Sequence, residues 1–64
     1  MSYQVFQERV RELVKRSGSG SVVFCHEDGK HIAKCMDGVT ITGNVLSRRV
    51  FVRWGNGHTA YAAI

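Results

Sequence analysis

The sequence predicts an α+β domain in which one N-terminal amphipathic helix packs on a four- or five-stranded antiparallel β-meander. Apolar side chains recur at intervals of three and four residues up to position 14, whereas apolar and polar residues alternate from position 21 onward. Three pairs of turn-forming residues, Asp28-Gly29, Asp37-Gly38 and Asn56-Gly57, divide the second part of the chain. Each pair is typical of a two-residue hairpin turn, so we expect neighbouring runs to form antiparallel strands.

The helix is predicted over residues 3–16. Its apolar stripe consists of Tyr3, Phe6, Val10, Leu13 and Val14. Ser2 precedes the stripe as an N-cap residue, and Glu12 stands four residues before Arg16, a spacing that favours an ion pair. The sequence Ser-Gly-Ser-Gly at residues 17–20 should end the helix as a flexible joint.

The β-meander is predicted over residues 21–64. Its strand-length runs are 21–27, 30–36, 39–46, 49–54 and 58–63. The third run contains Gly43-Asn44, so it forms either one bulged strand or two strands. Two-residue turns would pair His26 with His31 and Val52 with Tyr61. The same register predicts a core face containing Val23, Cys25, Ile32, Met36, Val39 and Ile41, with Lys34 at its edge and an apolar patch around Phe24 on the opposite face.

The length of the chain limits the functions that it can perform. Its 64 residues predict a single domain, residues 1–64. A domain of this size buries only roughly 60% of the surface of its unfolded chain, which leaves little room for a deep, dry active site. The sequence contains no long apolar run and no secretory signal pattern. We therefore expect a cytoplasmic, non-enzymatic protein that needs no cofactor and does not bind a membrane.

The charge distribution favours nucleic acid as the partner. The net charge is +4, and all five acidic residues lie at or before Asp37. Residues 38–64 hold Arg48, Arg49 and Arg53 beside aromatic residues and contain no Asp or Glu, a composition typical of proteins that bind nucleic acid through a sheet. The predicted binding residues are Arg48, Arg49, Phe51, Arg53 and His58. Trp54 and Tyr61 belong either to the core or to the binding surface.

The four residues Cys25, His26, His31 and Cys35 suggest a metal site. Their spacing argues against one, because structural zinc sites usually hold cysteines two to four residues apart. In the predicted hairpin, Cys25 also points away from the other three side chains, which excludes a Cys25–Cys35 disulfide. We expect two reduced thiols and two solvated histidines. A metal- or redox-responsive protein that uses these four residues is the second alternative function.

Residues 43–59 resemble the end of SH3-like small barrels of the Tudor and Mib/Herc2 types. The stretch Val50-Phe51-Val52-Arg53-Trp54 is followed by Asn56-Gly57, and Gly43-Asn44-Val45 stands ahead of it. In those families a V-x-V-x-W strand and its turn follow a G-x-V strand. The resemblance implies a barrel that binds peptides, modified side chains or nucleic acids without catalysis. The N-terminal helix and the lack of an obvious aromatic cage depart from that pattern.

A protein–protein adaptor or inhibitor is the first alternative function, for example an accessory protein of a phage or another mobile element. An exposed patch at Phe24 or Phe51 would support it. A homodimer through a free strand edge is a further expectation, because an unpaired edge can add a strand from a second chain.

Overall fold

The computed structural model describes residues 1–17, 21–46 and 48–63. It confirms the α+β class, with one N-terminal helix packed on one face of an antiparallel sheet. The elements are α1 (Tyr3–Ser17), β1 (Val22–Glu27), β2 (Lys30–Cys35), a 3₁₀ turn (Met36–Gly38), β3 (Thr40–Asn44), β4 (Arg49–Arg53) and β5 (Thr59–Ala63). Beyond its first residue, the joint predicted at 17–20 lies outside the described residues. Within the described residues, no helix combines the length and the apolar character needed to span a membrane.

The N-terminus of α1 is capped as the sequence predicts. The Val5 amide donates to Ser2 Oγ at 3.2 Å, and the Phe6 amide donates to the Ser2 carbonyl at 3.0 Å. The first bond satisfies one of the amides that the first helical turn leaves without a partner, and the second is the first backbone bond of the helix. Further along α1, Glu12 lies 3.6 Å from Arg9 in an exposed i,i+3 pair, instead of the expected pair with Arg16.

The sheet is an open meander of strand order β1-β2-β3-β4-β5. All neighbouring strands pair antiparallel, and β1 and β5 form its two edges. Because these edges are not paired with each other, the sheet is not closed into a barrel. Of residues 39–46, Thr40–Asn44 form one strand, so Gly43-Asn44 does not divide the run in two.

The first hairpin has the predicted two-residue turn. Asp28 and Gly29 take φ angles of 47° and 75°, the left-handed conformation that a type I′ turn requires at both positions. This turn pairs His26 with His31, as expected.

The other two hairpins have three-residue loops, which corrects the predicted register. Cys35 donates its amide to the Val39 carbonyl at 2.8 Å across the Met36–Gly38 turn. Trp54 donates in the same way to His58 at 2.8 Å. In both loops only the final glycine has positive φ, 73° at Gly38 and 86° at Gly57. That pattern belongs to a type I turn followed by a left-handed glycine, so a two-residue turn at either place was a wrong prediction.

The shift of one residue changes which side chains face the core. Phe51 pairs with Tyr61, so the predicted pairing of Val52 with Tyr61 is wrong. Val23 is 66% exposed, Met36 is 58% exposed and Cys25 is exposed, which contradicts their assignment to the core. Ile32 pairs with Cys25 and lies on the same face, so its assignment to the core is wrong as well. The buried core consists of Phe6, Val10, Val14, Ala33, Ile41 and Val50.

The helix covers the face of β1 and β2 that was expected to be open. Phe24 packs against the core cluster, and its ring lies edge-on to that of Phe6 at 6.2 Å between centroids. The Arg11 guanidinium lies 5.1 Å from the centre of the Phe24 ring. The predicted apolar patch at Phe24 is therefore covered by α1, whereas Lys34 points to the opposite face of the sheet and not to the core.

Candidate nucleic-acid interface

The face of the sheet opposite α1, here called the outer face, carries side chains in three parallel rows. The strand pairings define a central row of Cys25, Ile32, Thr42, Phe51 and Tyr61. On one side lies the Lys34 row, formed by Val23, Lys34, Thr40, Arg53 and Thr59. On the other side lies the Lys30 row, formed by Glu27, Lys30, Asn44, Arg49 and Ala63. The central row is therefore apolar and aromatic at its β4–β5 end, and it runs between two rows that carry cations.

Two aromatic rings form the end of the central row. Phe51 and Tyr61 lie directly opposite each other on β4 and β5, with ring centroids 5.3 Å apart and an edge-to-face angle of 61°. Tyr61 is 72% exposed, whereas Phe51 is half-buried. Tyr61 therefore belongs to the exposed surface and shares it with Phe51, which answers one of the questions that the sequence leaves open.

Trp54 lies apart from this pair. Its ring packs against that of His58 across the β4–β5 loop, with 5.2 Å between centroids, and its side chain is 36% exposed. The loop geometry is fixed by Asn56 Oδ1, which accepts from the His58 amide at 2.9 Å. Trp54 and His58 thus form a contact across the β4–β5 loop instead of joining the central row.

Exposed cations flank the aromatic pair on both sides. Arg53 and Lys34 stand in one flanking row, and Lys30 and Arg49 stand in the other. The two arginines are separated by four positions along β4, which is about 13 Å of extended chain. Among the described side chains of the three rows, the only carboxylate is that of Glu27, which lies opposite Lys30 on the β1 edge. The outer face is therefore mainly cationic.

The structure brings together three of the five predicted binding residues. Arg49, Phe51 and Arg53 alternate along β4 and so share the outer face. Arg48 is exposed in the bend before β4, and His58 is exposed in the loop before β5. These two lie at the ends of loops and outside the three rows.

Sequence reasoning missed two residues of this surface, Lys30 and Lys34, and left Tyr61 open between the core and the surface. The two register errors assigned Tyr61 to the side of Trp54 and Lys34 to the core. The lysine on the presumed core face was the signal that could have revealed both lysines. Assigning the opposite face of β2 to the core places Lys30 and Lys34 in solvent.

A shallow groove of about 250 Å³ opens at the boundary between the central row and the Lys30 row. Its lining comprises Lys30, Thr42, Gly43, Asn44, Arg49, Phe51 and Tyr61. The lining therefore offers two aromatic rings, two cations, a hydroxyl and a carboxamide within one concave surface. Such a combination can hold a planar ring and an anionic group at the same time.

The cysteines and histidines do not assemble at one place. Cys25 is exposed on the outer face, whereas Cys35 packs on the core side, where burial raises the pKa of its thiol. Both cysteines are free. No three His, Cys, Asp or Glu side chains converge as metal ligands among the residues that the structure describes.

The two histidines differ in their surroundings, and the expectation that both are solvated is wrong. His31 is 1% exposed, and His26 is exposed and stacks on it at 5.0 Å between centroids. The His31 ring also contacts Tyr3 and Phe6 at 5.3 and 5.4 Å. Its Nε2 donates to the Met1 carbonyl at 3.0 Å. His31 thus helps to attach the start of the chain and α1 to the sheet.

Comparison of the chain with protein-family models, with curated proteins and with solved structures finds no significant match in any of the three.

Proposed function

We propose that this protein is a non-enzymatic module that binds single-stranded nucleic acid on the outer face of its sheet. The observation that carries the proposal is the Phe51–Tyr61 ring pair, which stands between two rows of cations on a face that α1 leaves open. A cytoplasmic location is part of the proposal, since two free thiols suit a reducing compartment.

Base stacking supplies the first part of the argument. Tyr61 is 72% exposed although it is a large amphipathic ring, and its neighbour Phe51 limits its movement on one side. An exposed ring held in this way offers a platform for an unpaired base. Stacking of a base on such a ring contributes about 1–3 kcal/mol and tolerates any base, because every base has a π-face.

Electrostatic attraction supplies the second part. Lys30, Lys34 and Arg53 are exposed beside the rings, and the chain has a net charge of +4. Cations on both sides of the rings allow the phosphates that flank a stacked base to find a partner. Each phosphate neutralised on a single strand contributes about −0.7 to the slope of log K against log salt concentration. Three contacts therefore predict a slope of about −2.

The flatness of the surface favours single strands over duplexes. The outer face presents sheet side chains, and no helix of the described chain projects from it to enter a major groove. In a duplex the π-faces of the bases are already stacked on one another, so Tyr61 could contact only the edges or the backbone. We therefore expect tighter binding to an unstructured strand than to a duplex of the same length.

Fluorescence anisotropy with a labelled, unstructured oligonucleotide tests the proposal. Tyr61→Ala should weaken binding about 5- to 150-fold, which corresponds to the loss of one stacked base. Arg53→Ala should weaken binding and reduce the salt slope by about 0.7. Lys15→Ala is the matched control, because it removes one positive charge from α1 on the other side of the sheet. Its salt slope should equal that of the unaltered protein.

Equal losses in Arg53→Ala and Lys15→Ala would contradict the proposal, because net charge alone would then explain the binding. Duplex binding as tight as single-strand binding would contradict the stacking argument. Absence of binding to any oligonucleotide at low salt would overturn the proposal and favour a protein partner.

A second candidate is self-association through β1, which the exposed Val23 favours. This side chain is 66% exposed on an edge strand that contains no proline. An open edge of this kind can pair with the same strand of a second copy. Sedimentation equilibrium should then show a dimer that Val23→Lys dissociates, whereas a monomer at all concentrations would exclude it.

A further inference from the structure

We propose that the groove beside Asn44 selects bases that carry a carbonyl oxygen, namely uracil, thymine and guanine, over cytosine and adenine. This inference rests on the proposed function and adds a base preference to it. Its basis is the orientation of one carboxamide in the groove lining, whose oxygen is held by a backbone amide.

The orientation of Asn44 follows from the turn that succeeds β3. Asn44 Oδ1 lies 2.9 Å from the backbone nitrogen of Leu46. A backbone N–H can only donate, so the Asn44 atom that faces it must be the oxygen. The Nδ2 amino group therefore points elsewhere, and Asn44 is an exposed side chain that lines the groove. What Asn44 offers to a ligand is thus mainly a hydrogen-bond donor.

The position of Asn44 suits a base that stacks on the aromatic pair. Asn44 lies two residues from Thr42 on β3, and Thr42 faces Phe51 directly across to β4. Asn44 is therefore a diagonal neighbour of Phe51, and side chains in that relationship are about 7–8 Å apart at their backbones. A planar base that lies over the rings would direct one edge toward Asn44.

The donor of Asn44 discriminates between bases by simple complementarity. Uracil and thymine present O4 and guanine presents O6, and each of these oxygens can accept the bond from Asn44 Nδ2. Cytosine and adenine present an amino group at the corresponding position, which would leave two donors facing each other. The Thr42 hydroxyl, also in the groove, can donate or accept and so does not discriminate.

The groove lining also contains a cation, Lys30, that can bind a phosphate. Lys30 faces Asn44 across β2 and β3, and its side chain lines the same groove. A nucleotide whose base lies over Tyr61 and whose edge meets Asn44 can thus direct its phosphate toward Lys30.

The test compares the affinities of the protein for oligouridylate and for oligocytidylate of equal length. These two strands differ at the edge that Asn44 would contact and carry the same backbone charge. The unaltered protein should bind oligouridylate about fivefold more tightly, the effect of about one hydrogen bond. Asn44→Asp should reverse the preference, because a carboxylate accepts from the cytosine amino group and can still accept from the Leu46 amide. The added charge weakens both strands, so the ratio of affinities is the informative quantity.

Asn56→Asp is the matched control for this substitution. Asn56 makes the same type of bond, from the His58 amide to its Oδ1 at 2.9 Å, in the β4–β5 loop and outside the groove. This substitution adds the same charge but leaves the groove unchanged, so the preference for oligouridylate should be retained. Circular dichroism would verify that both variants remain folded.

Equal affinity for the two strands in the unaltered protein would overturn the base preference, as would an unchanged ratio in Asn44→Asp. In either case, loss of binding in Tyr61→Ala would leave the proposed function standing. Absence of binding to both strands would overturn the two proposals together.

Discussion

The ring of Phe6 occupies the space in which a side chain at position 43 would begin. A Cβ added to Gly43 would lie 2.9 Å from Phe6 Cδ1 and 3.0 Å from Phe6 Cε1. Gly43 pairs with Val50 on β4 and with His31 on β2, so this contact is where α1 approaches the backbone of β3. The glycine is needed here for space, since it is not among the positions with positive φ.

Gly43→Ala should therefore destabilise the fold. The new methyl group would force the buried Phe6 ring or the strand to move, and overpacking of this kind costs about 1–3 kcal/mol. Urea denaturation followed by circular dichroism would measure the change in the free energy of unfolding. Combining Gly43→Ala with Phe6→Leu should cost less than the sum of the two single changes, because the smaller side chain gives room to the methyl group. Simple additivity would show that the two residues do not compete for this space.

Replacement of His31 should have a large effect on stability. Its ring is 1% exposed, packs against Phe6, and donates from Nε2 to the Met1 carbonyl. Met1 is held from its other side as well, since its ammonium group donates to the Val45 carbonyl. His31→Ala would leave a cavity and remove a hydrogen bond, with an expected loss of about 2–4 kcal/mol in the free energy of unfolding.

His26→Ala provides the control for His31. His26 stacks on the same ring but is exposed, so its removal should cost only about 0.5–1.5 kcal/mol. Similar losses in both variants in a urea titration would indicate that the buried ring and its bond to Met1 do not anchor the N-terminus.

Local signals predicted the start of the helix and one hairpin because residues adjacent in the sequence determine each. Ser2 caps α1 through its own side chain, and Asp28-Gly29 can satisfy a type I′ turn with both residues at positive φ. Asp37-Gly38 and Asn56-Gly57 are turn-forming pairs of the same kind. They fit equally well at the end of a three-residue loop, where only the glycine needs positive φ.

A difference of one residue in those loops determines the composition of the candidate site. Strand side chains alternate between faces, so a slip of one position moves every side chain of the paired strand relative to its neighbour. Tyr61 therefore joins Phe51 on the outer face. The hydrophobic pattern of β1 could not correct the error, because both of its faces are apolar. Val22 and Phe24 lie on one face, and Val23 and Cys25 lie on the other. The burial of His31 depends on a carbonyl thirty positions away, at Met1, which no local pattern encodes.

The two thiols should differ in reactivity as pH rises. Burial raises the pKa of Cys35, whereas Cys25 is exposed on the outer face. Alkylation requires the thiolate. In a Cys25→Ser variant, the remaining Cys35 should thus react with iodoacetamide more slowly than the exposed Cys25 does in Cys35→Ser, and the rate of Cys35 should rise as the pH approaches its raised pKa. Mass spectrometry of the modified chains would measure both profiles.

The raised pKa of Cys35 also has a consequence for stability. The unfolded chain loses the thiol proton at lower pH than the folded chain does, so the folded state binds more protons in the alkaline range. The contribution of Cys35 to stability is therefore present below the ordinary thiol pKa and is lost as pH rises through the folded value. Cys35→Ala should have a flatter alkaline stability profile than the unaltered protein, and an identical profile would contradict this assignment.

The predicted binding residues should separate into two groups when each is replaced by alanine. Arg53 stands in a row beside the aromatic pair, whereas Arg48 and His58 lie in loops beyond the rows. A phosphate next to a base stacked on Tyr61 can reach Arg53 directly. Arg48 would contact only a strand that extends past the start of β4, and His58 already packs on Trp54.

Arg53→Ala should consequently weaken binding of a short oligonucleotide several-fold more than Arg48→Ala, although both changes remove one charge. His58→Ala should have the smallest effect of the three. Lengthening the oligonucleotide should increase the loss in Arg48→Ala, because additional phosphates then extend toward the loop. Anisotropy titrations at one low salt concentration would compare the variants. An equal loss in Arg48→Ala and Arg53→Ala on the shortest strand would contradict this assignment, because the two residues lie at opposite ends of β4 and net charge alone would then explain the binding.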